Sequence, residues 1–213
     1  DSWKSLSHSW INALDKRALS EGNYQKALIN QFSFGVLNYE DAQEKKRLFA
    51  KCCTSSEQAC QHALFNIKLW VDELSEEKQR QEWDNWINDL CLYIAGQEPV
   101  FKKFIGESLA RWIERCPSIR ARIAALLKRI GPIAFDNGLF VREGTLTSIA
   151  KDSIENSDKS TLLIFLLRSQ SFFHYQEDIE NALNLLSPKE MEESDKNNLL
   201  DALSIIGMTE LAA

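Results

Sequence analysis

Apolar side chains recur at steps of three and four residues along nearly the whole chain, a period that fits the α-helix and little else. Trp3, Leu6, Trp10 and Leu14 share one face of a first helix, because positions three and four apart lie above one another on a 3.6-residue turn. After the break at "GNY" (22–24), Tyr24, Ala27, Leu28 and Phe32 take up the same spacing. A helix is expected over 40–52. Thr54 and Glu57 have capping-box spacing for a helix running to Leu74, in which each side chain would satisfy a backbone N–H of the first turn. Ser75 opens the next helix, and Gly96 is expected to close it in the left-handed conformation. The stretch 99–116 opens on Pro99 and stops before Pro117, and 118–130 stops at Gly131 and Pro132, consistent with proline at a helix start and exclusion of helix just before one. Helices resume over about 144–156, 158–170 and 176–186. Ser187, Pro188 and Glu190 then mark a further start, with the last one or two helices filling 188–206.

These elements amount to about ten helices joined by short links. The expected fold class is all-α, an irregular helical-hairpin solenoid or bundle, since short links favour antiparallel neighbours. With 8 Gly and 4 Pro in 213 residues, turn chemistry is too sparse for a many-stranded β protein, which turns tightly every 8–12 residues or so. Residues 131–144, "GPIAFDNGLFVREG", carry three glycines and a proline and no sustained helical period. They are read as a loop connecting a Trp-rich part, 1–130, to a C-terminal part, 145–213, that packs on it as one continuous domain. A chain of this length buries roughly 70% of its unfolded surface and folds without disulfide or metal.

The stretch 10–28, "WINALDKRALSEGNYQKAL", resembles a tetratricopeptide-type helical hairpin. Ile11 and Leu14 match its first helix, Gly22 its turn, Tyr24 the residue that packs back, and Ala27 the point where two helices touch. Asp15 and Gln31 depart from that pattern, where glycine and a large aromatic are preferred, and no second copy follows at a 34-residue interval. The resemblance implies a degenerate helical-hairpin scaffold rather than a regular array. Trp-bearing helices ending in "YIAG" (93–96), followed by degenerate helical pairs, also look like the C-terminal helical regions of some large bacterial antiviral defence proteins. That likeness implies a sensing or scaffolding part whose chemistry resides in another domain.

Trp83 and Trp86 pose the sharpest question of site against core. They form one stripe with Leu90 and Ile94, with Ile87 and Cys91 beside it, so they are expected to anchor a helix in the core rather than to stack on a ligand. Cys52, Cys53, Cys60 and His62 invite a zinc reading, but Cys60 and His62 stand two residues apart and diverge on a helix. No metal and no cofactor are expected. His8, His62 and His174 sit in no nucleophile or metal motif, and no glycine-rich phosphate loop occurs. No catalytic residue is assigned; an enzyme would need a spatially assembled site around His62 or His174.

Charge is more informative. The chain is net −6, yet residues 102–129 hold eight basic side chains (Lys102, Lys103, Arg111, Arg115, Arg120, Arg122, Lys128 and Arg129) against Glu107 and Glu114, while 176–201 hold eight acids against two bases. Arg111 and Arg115 share one helix face, as do Arg122 and Arg129 on the next helix. These four are the expected recognition surface. Their expected partner is a protein or another domain of a parent chain; nucleic acid or phosphate is the alternative, disfavoured by a pI near 5.2. Five cysteines, two of them adjacent, and the absence of a glycosylation acceptor point to a reducing, cytoplasmic setting. The longest apolar run, "LLIFLL" (162–167), falls far short of the ~20 residues a membrane span needs, and no membrane role is expected. Starting at Asp1, the chain reads as a piece of a larger intracellular protein. The expected role is non-enzymatic recognition or scaffolding, in antiviral defence on the second resemblance.

Overall fold

A computed structural model describes residues 22–133, 141–168, 176–186 and 191–208, with side chains from Ile29 onward. The described residues are helical with no strand, and the fold is all-α as the period requires. They divide into two compact units, 1–108 and 109–213. Among the described residues, no helix is long and apolar enough to cross a membrane.

The first unit is built from α1 (Gly22–Leu37), α2 (Ala42–Cys53), α3 (Glu57–Glu73), α4 (Glu76–Glu82) and α5 (Asn88–Ala95), with the start of α6 (Pro99–Arg115). Helix α3 packs against α1 and α2, and α2 against α5. Asp41 starts α2 by accepting from the backbone N–H groups of Gln43 (2.9 Å) and Glu44 (3.1 Å), satisfying donors that have no partner within the helix. The expected Thr54 cap of α3 is replaced by Ser56, whose Oγ accepts from Ala59 N–H at 3.1 Å. Thr54 Oγ1 turns back instead onto the Ala50 carbonyl and helps close α2. Gly96 ends α5 with φ −80°, not in the left-handed conformation; backbone bonds from its N–H to Leu92 and Tyr93 suffice.

Between α4 and α5 the chain runs through a π turn, Trp83–Ile87, in which Asn88 N–H reaches the Trp83 carbonyl five residues back. The wider turn brings Trp83, Trp86, Ile87, Leu90, Cys91 and Ile94 all into the core, none more than 2% exposed. The tryptophan pair is therefore a core anchor, as the stripe predicts. Phe49 stacks on Trp86 (ring centroids 5.5 Å apart), and Phe32 meets Phe49 edge-on at 6.3 Å. Within this packing Lys45 is buried. Its ammonium lies 2.8 Å from Glu82 Oε2 and faces the rings of Trp70 (5.1 Å) and Trp86 (5.7 Å). Trp86 Nε1–H donates to the same Glu82 oxygen.

The second unit contains the end of α6, a single 3-10 turn (Pro117–Ile119), α7 (Arg120–Ile130), α8 (Thr145–Lys151), α9 (Asn156–Leu167), α10 (Gln176–Leu185) and α11 (Glu193–Ile205). Helix α9 packs on α7, α8 and α11, and α8 pairs with α10. Gly131 closes α7 at φ 71°, ψ −167°, a conformation open almost only to glycine. The predicted start at Ser187, Pro188 and Glu190 lies outside the described residues, as do residues 10–21 of the tetratricopeptide-like stretch.

Candidate functional site

In the second unit the starts of α7, α8 and α10 and the end of α8 line a cleft of about 660 Å³, with Arg120, Ser148, Lys151, Asp152, Glu177 and Asp178 among its side chains. Such a volume suits a small ligand or a few residues of a peptide.

Arg120 is the first residue of α7 and is 2% exposed. Proline at 117 forces a 3-10 turn after α6, and that turn directs the Arg120 side chain back to the end of α6, where Nε donates to the Ile113 carbonyl at 2.8 Å. Nη1 donates to Ser148 Oγ on α8 (3.1 Å) and to Asp152 Oδ2 just beyond α8 (3.2 Å). Burial lowers the Arg120 pKa below its ordinary value even though the bond to Asp152 and its charge act to raise it. One half-buried carboxylate therefore does not fully offset the desolvation of the guanidinium.

Asp178 sits in the first turn of α10 and is 4% exposed. It caps a different helix. Oδ2 accepts from Leu146 N–H and Oδ1 from Thr147 N–H, each at 3.0 Å, and Thr147 Oγ1 donates to Oδ1 as well. Gly144, at φ 84°, supplies no side chain to cap α8, so the cap comes from across the pair. Glu143 and Glu177, both exposed, extend the acidic side of the cleft.

The arginines expected to form a recognition stripe lie on two successive helices. Arg111, half-buried, and Arg115, exposed, lie on α6; Arg122, half-buried, and Arg129, exposed, lie on α7. Arg111 and Arg122 already have interaction partners, and Arg115 Nε lies 3.8 Å from Glu114 Oε1, which also pairs with Arg142 at 3.1 Å. Of the remaining basic residues of that segment, Lys128 pairs with Asp158 at 2.7 Å. Arg120 lines the cleft. In the sequence Arg120 belongs to the basic segment, but its spacing puts it off the Arg122–Arg129 face. The signal available was its place directly after "CPSI", where a helix restarts.

In the first unit a smaller cleft, about 400 Å³, places His62 beside Gln61, Lys68 and Glu107. His8 and His174 lie outside the described residues. Cys52, Cys53, Cys60 and Cys91 are buried free thiols. Burial pushes Cys52 and Cys91 up to about 12 and Cys53 well above its ordinary value, which suppresses the reactive thiolate. Among the described residues no group of three or more His, Cys, Asp or Glu side chains could hold a metal ion. The chain matches no protein-family model, no curated protein and no solved structure.

Proposed function

We propose that the chain is a protein-recognition module whose second unit receives a short polypeptide segment of a partner in the cleft between α8 and α10. The observation that supports this most is that the cleft's polar groups are held by helix ends. Arg120 is fixed by Ile113 and Asp152, and Asp178 by the first turn of α8. Groups held in place in advance lose little freedom on binding, which favours recognition of a flexible partner. The mixed charge of the lining, with Arg120 and Lys151 against Glu143, Asp152, Glu177 and Asp178, suits a polar chain better than an apolar helix.

The test is selection from a peptide display library on the intact chain, with Asn181→Trp as control. Asn181 is exposed and lines the cleft, so the indole fills the space without entering the core. Peptides selected on the parent should bind the variant at least ~10-fold more weakly, about 1.4 kcal/mol. Equal binding to both, or failure to enrich any sequence, overturns the proposal.

A further inference from the structure

Along α3, Gln58, Gln61, Phe65 and Lys68 follow one another at steps of three and four residues, with His62 four beyond Gln58, so they share one face of the helix. That face lines the cleft of about 400 Å³ in the first unit, to which α1 contributes Asn30 and α6 contributes Glu107. The order along α3 is amide, aromatic ring, cation, over roughly 15 Å of helix rise. Phe65 is 46% exposed, and the Lys68 ammonium stands 4.9 Å from the centre of its ring. Asn30 Oδ1 accepts from Asn66 Nδ2 at 3.0 Å, so the group that Asn30 can offer a ligand is its NH2.

A ligand that meets every part of this lining carries a flat ring for Phe65, an anion for Lys68 and His62, and hydroxyl donors for Glu107. A bare phosphate leaves the ring unused and is repelled by Glu107. An aromatic carboxylate gives Glu107 nothing to accept. A nucleotide has base edge, ring and phosphate in the order in which α3 presents their partners, and its ribose hydroxyls suit a carboxylate. Side-chain amides pair best with adenine, through N6 and N7. The volume is at the low end for ligand pockets and admits a single nucleotide.

We propose that the first unit binds a free adenine mononucleotide in this cleft, with the base on Phe65 and its edge toward Gln58 and Gln61, the ribose hydroxyls on Glu107, and the phosphate on Lys68 and His62. This does not depend on the recognition role proposed for the second unit.

The probe is adenosine 5′-monophosphate, titrated into the ¹⁵N-labelled intact chain while the backbone amides of α3 and the side-chain NH2 signals of Asn30, Gln58 and Gln61 are followed. Saturable shifts are expected, with a dissociation constant on the order of 0.1 mM. Adenosine, which lacks the phosphate, and ribose 5-phosphate, which lacks the base, should each bind at least ~10-fold more weakly. Lys68→Gln should bring the mononucleotide down to the level of adenosine and leave adenosine itself unchanged, whereas Phe65→Ala should weaken both. Lys68 is half-buried and Phe65 exposed, so neither change opens the core. An oligoadenylate without a terminal phosphate should fail to displace the mononucleotide. No saturable shift, adenosine or ribose 5-phosphate binding as tightly as the mononucleotide, displacement by the oligoadenylate, or a Lys68→Gln variant that weakens adenosine and mononucleotide alike overturns the inference.

Discussion

Lys45 and Arg120 are both cations buried at the first or second turn of a helix, and they are held differently. Lys45 has a carboxylate at 2.8 Å and two indole faces, so its charge is compensated on several sides. Removing it leaves Glu82 facing Trp86 without its cation. Lys45→Ala should therefore lose about 2–3 kcal/mol in urea unfolding, somewhat below the range for a fully buried pair, because the Glu82 side chain is 21% exposed. Lys45→Met combined with Glu82→Gln should recover part of that loss, because the amide oxygen still accepts from Trp86 Nε1–H and no buried charge is left unpaired. Neither partner was legible as a pair in the sequence, since 37 residues separate them. The thiols make a second prediction. Cys52 and Cys91 rise from 9.0 to about 12 on burial, so the folded state prefers the protonated form. Their contribution to stability is complete below the unfolded value near 9 and is lost as pH climbs toward 12. The melting temperature should fall as pH rises past 9, and the fall should be shallower in Cys91→Ala, each variant compared with its own value at neutral pH.

At the scale of elements, most helix spans were legible and several of their ends were not. Periodicity reports a buried face over many residues, while an end depends on one side chain finding one backbone group. Thr54 and Ser56 are both competent caps by type; the choice fell to Ser56 because Thr54 Oγ1 bonds the Ala50 carbonyl of the preceding turn. The cap of α8 was invisible in local sequence, because Asp178 lies more than thirty residues downstream. The π turn is a third case. Read as a regular helix, the stripe Trp83, Trp86, Leu90, Ile94 leaves Ile87 and Cys91 at its side; the extra residue of a π turn brings all six inward. Deleting the exposed Asn85 should convert this turn to α register and rotate Trp83 from the core. Loss of a packed tryptophan is worth about 3–5 kcal/mol. Tryptophan emission should shift to the red while far-UV dichroism keeps most of its helical signal. A variant with parental emission and stability would refute the register role.

At the scale of the whole molecule, charge segregation remains the feature that most invites a polyanion. The net charge of −6 coexists with a basic stretch at 102–129, but within that stretch Arg120 and Lys128 are committed to Asp152 and Asp158. Recognition of a peptide predicts no saturable binding of a labelled oligonucleotide at about 0.1 M salt. A log-affinity against log-salt slope of roughly −3 or steeper, abolished by reversing Arg115 and Arg122 to Glu, would return the nucleic-acid alternative.

The sequence by itself determined that this chain is helical and that its tryptophan-bearing stripe faces inward, because burial of apolar surface on a 3.6-residue period is a local requirement each segment meets with its own residues. Tertiary structure decided the rest: which basic side chains are spent on internal carboxylates, and which oxygen caps each helix. Those outcomes depend on groups that meet only once helices distant in sequence have packed. Composition can count charges, but it cannot say which of them have already been paired.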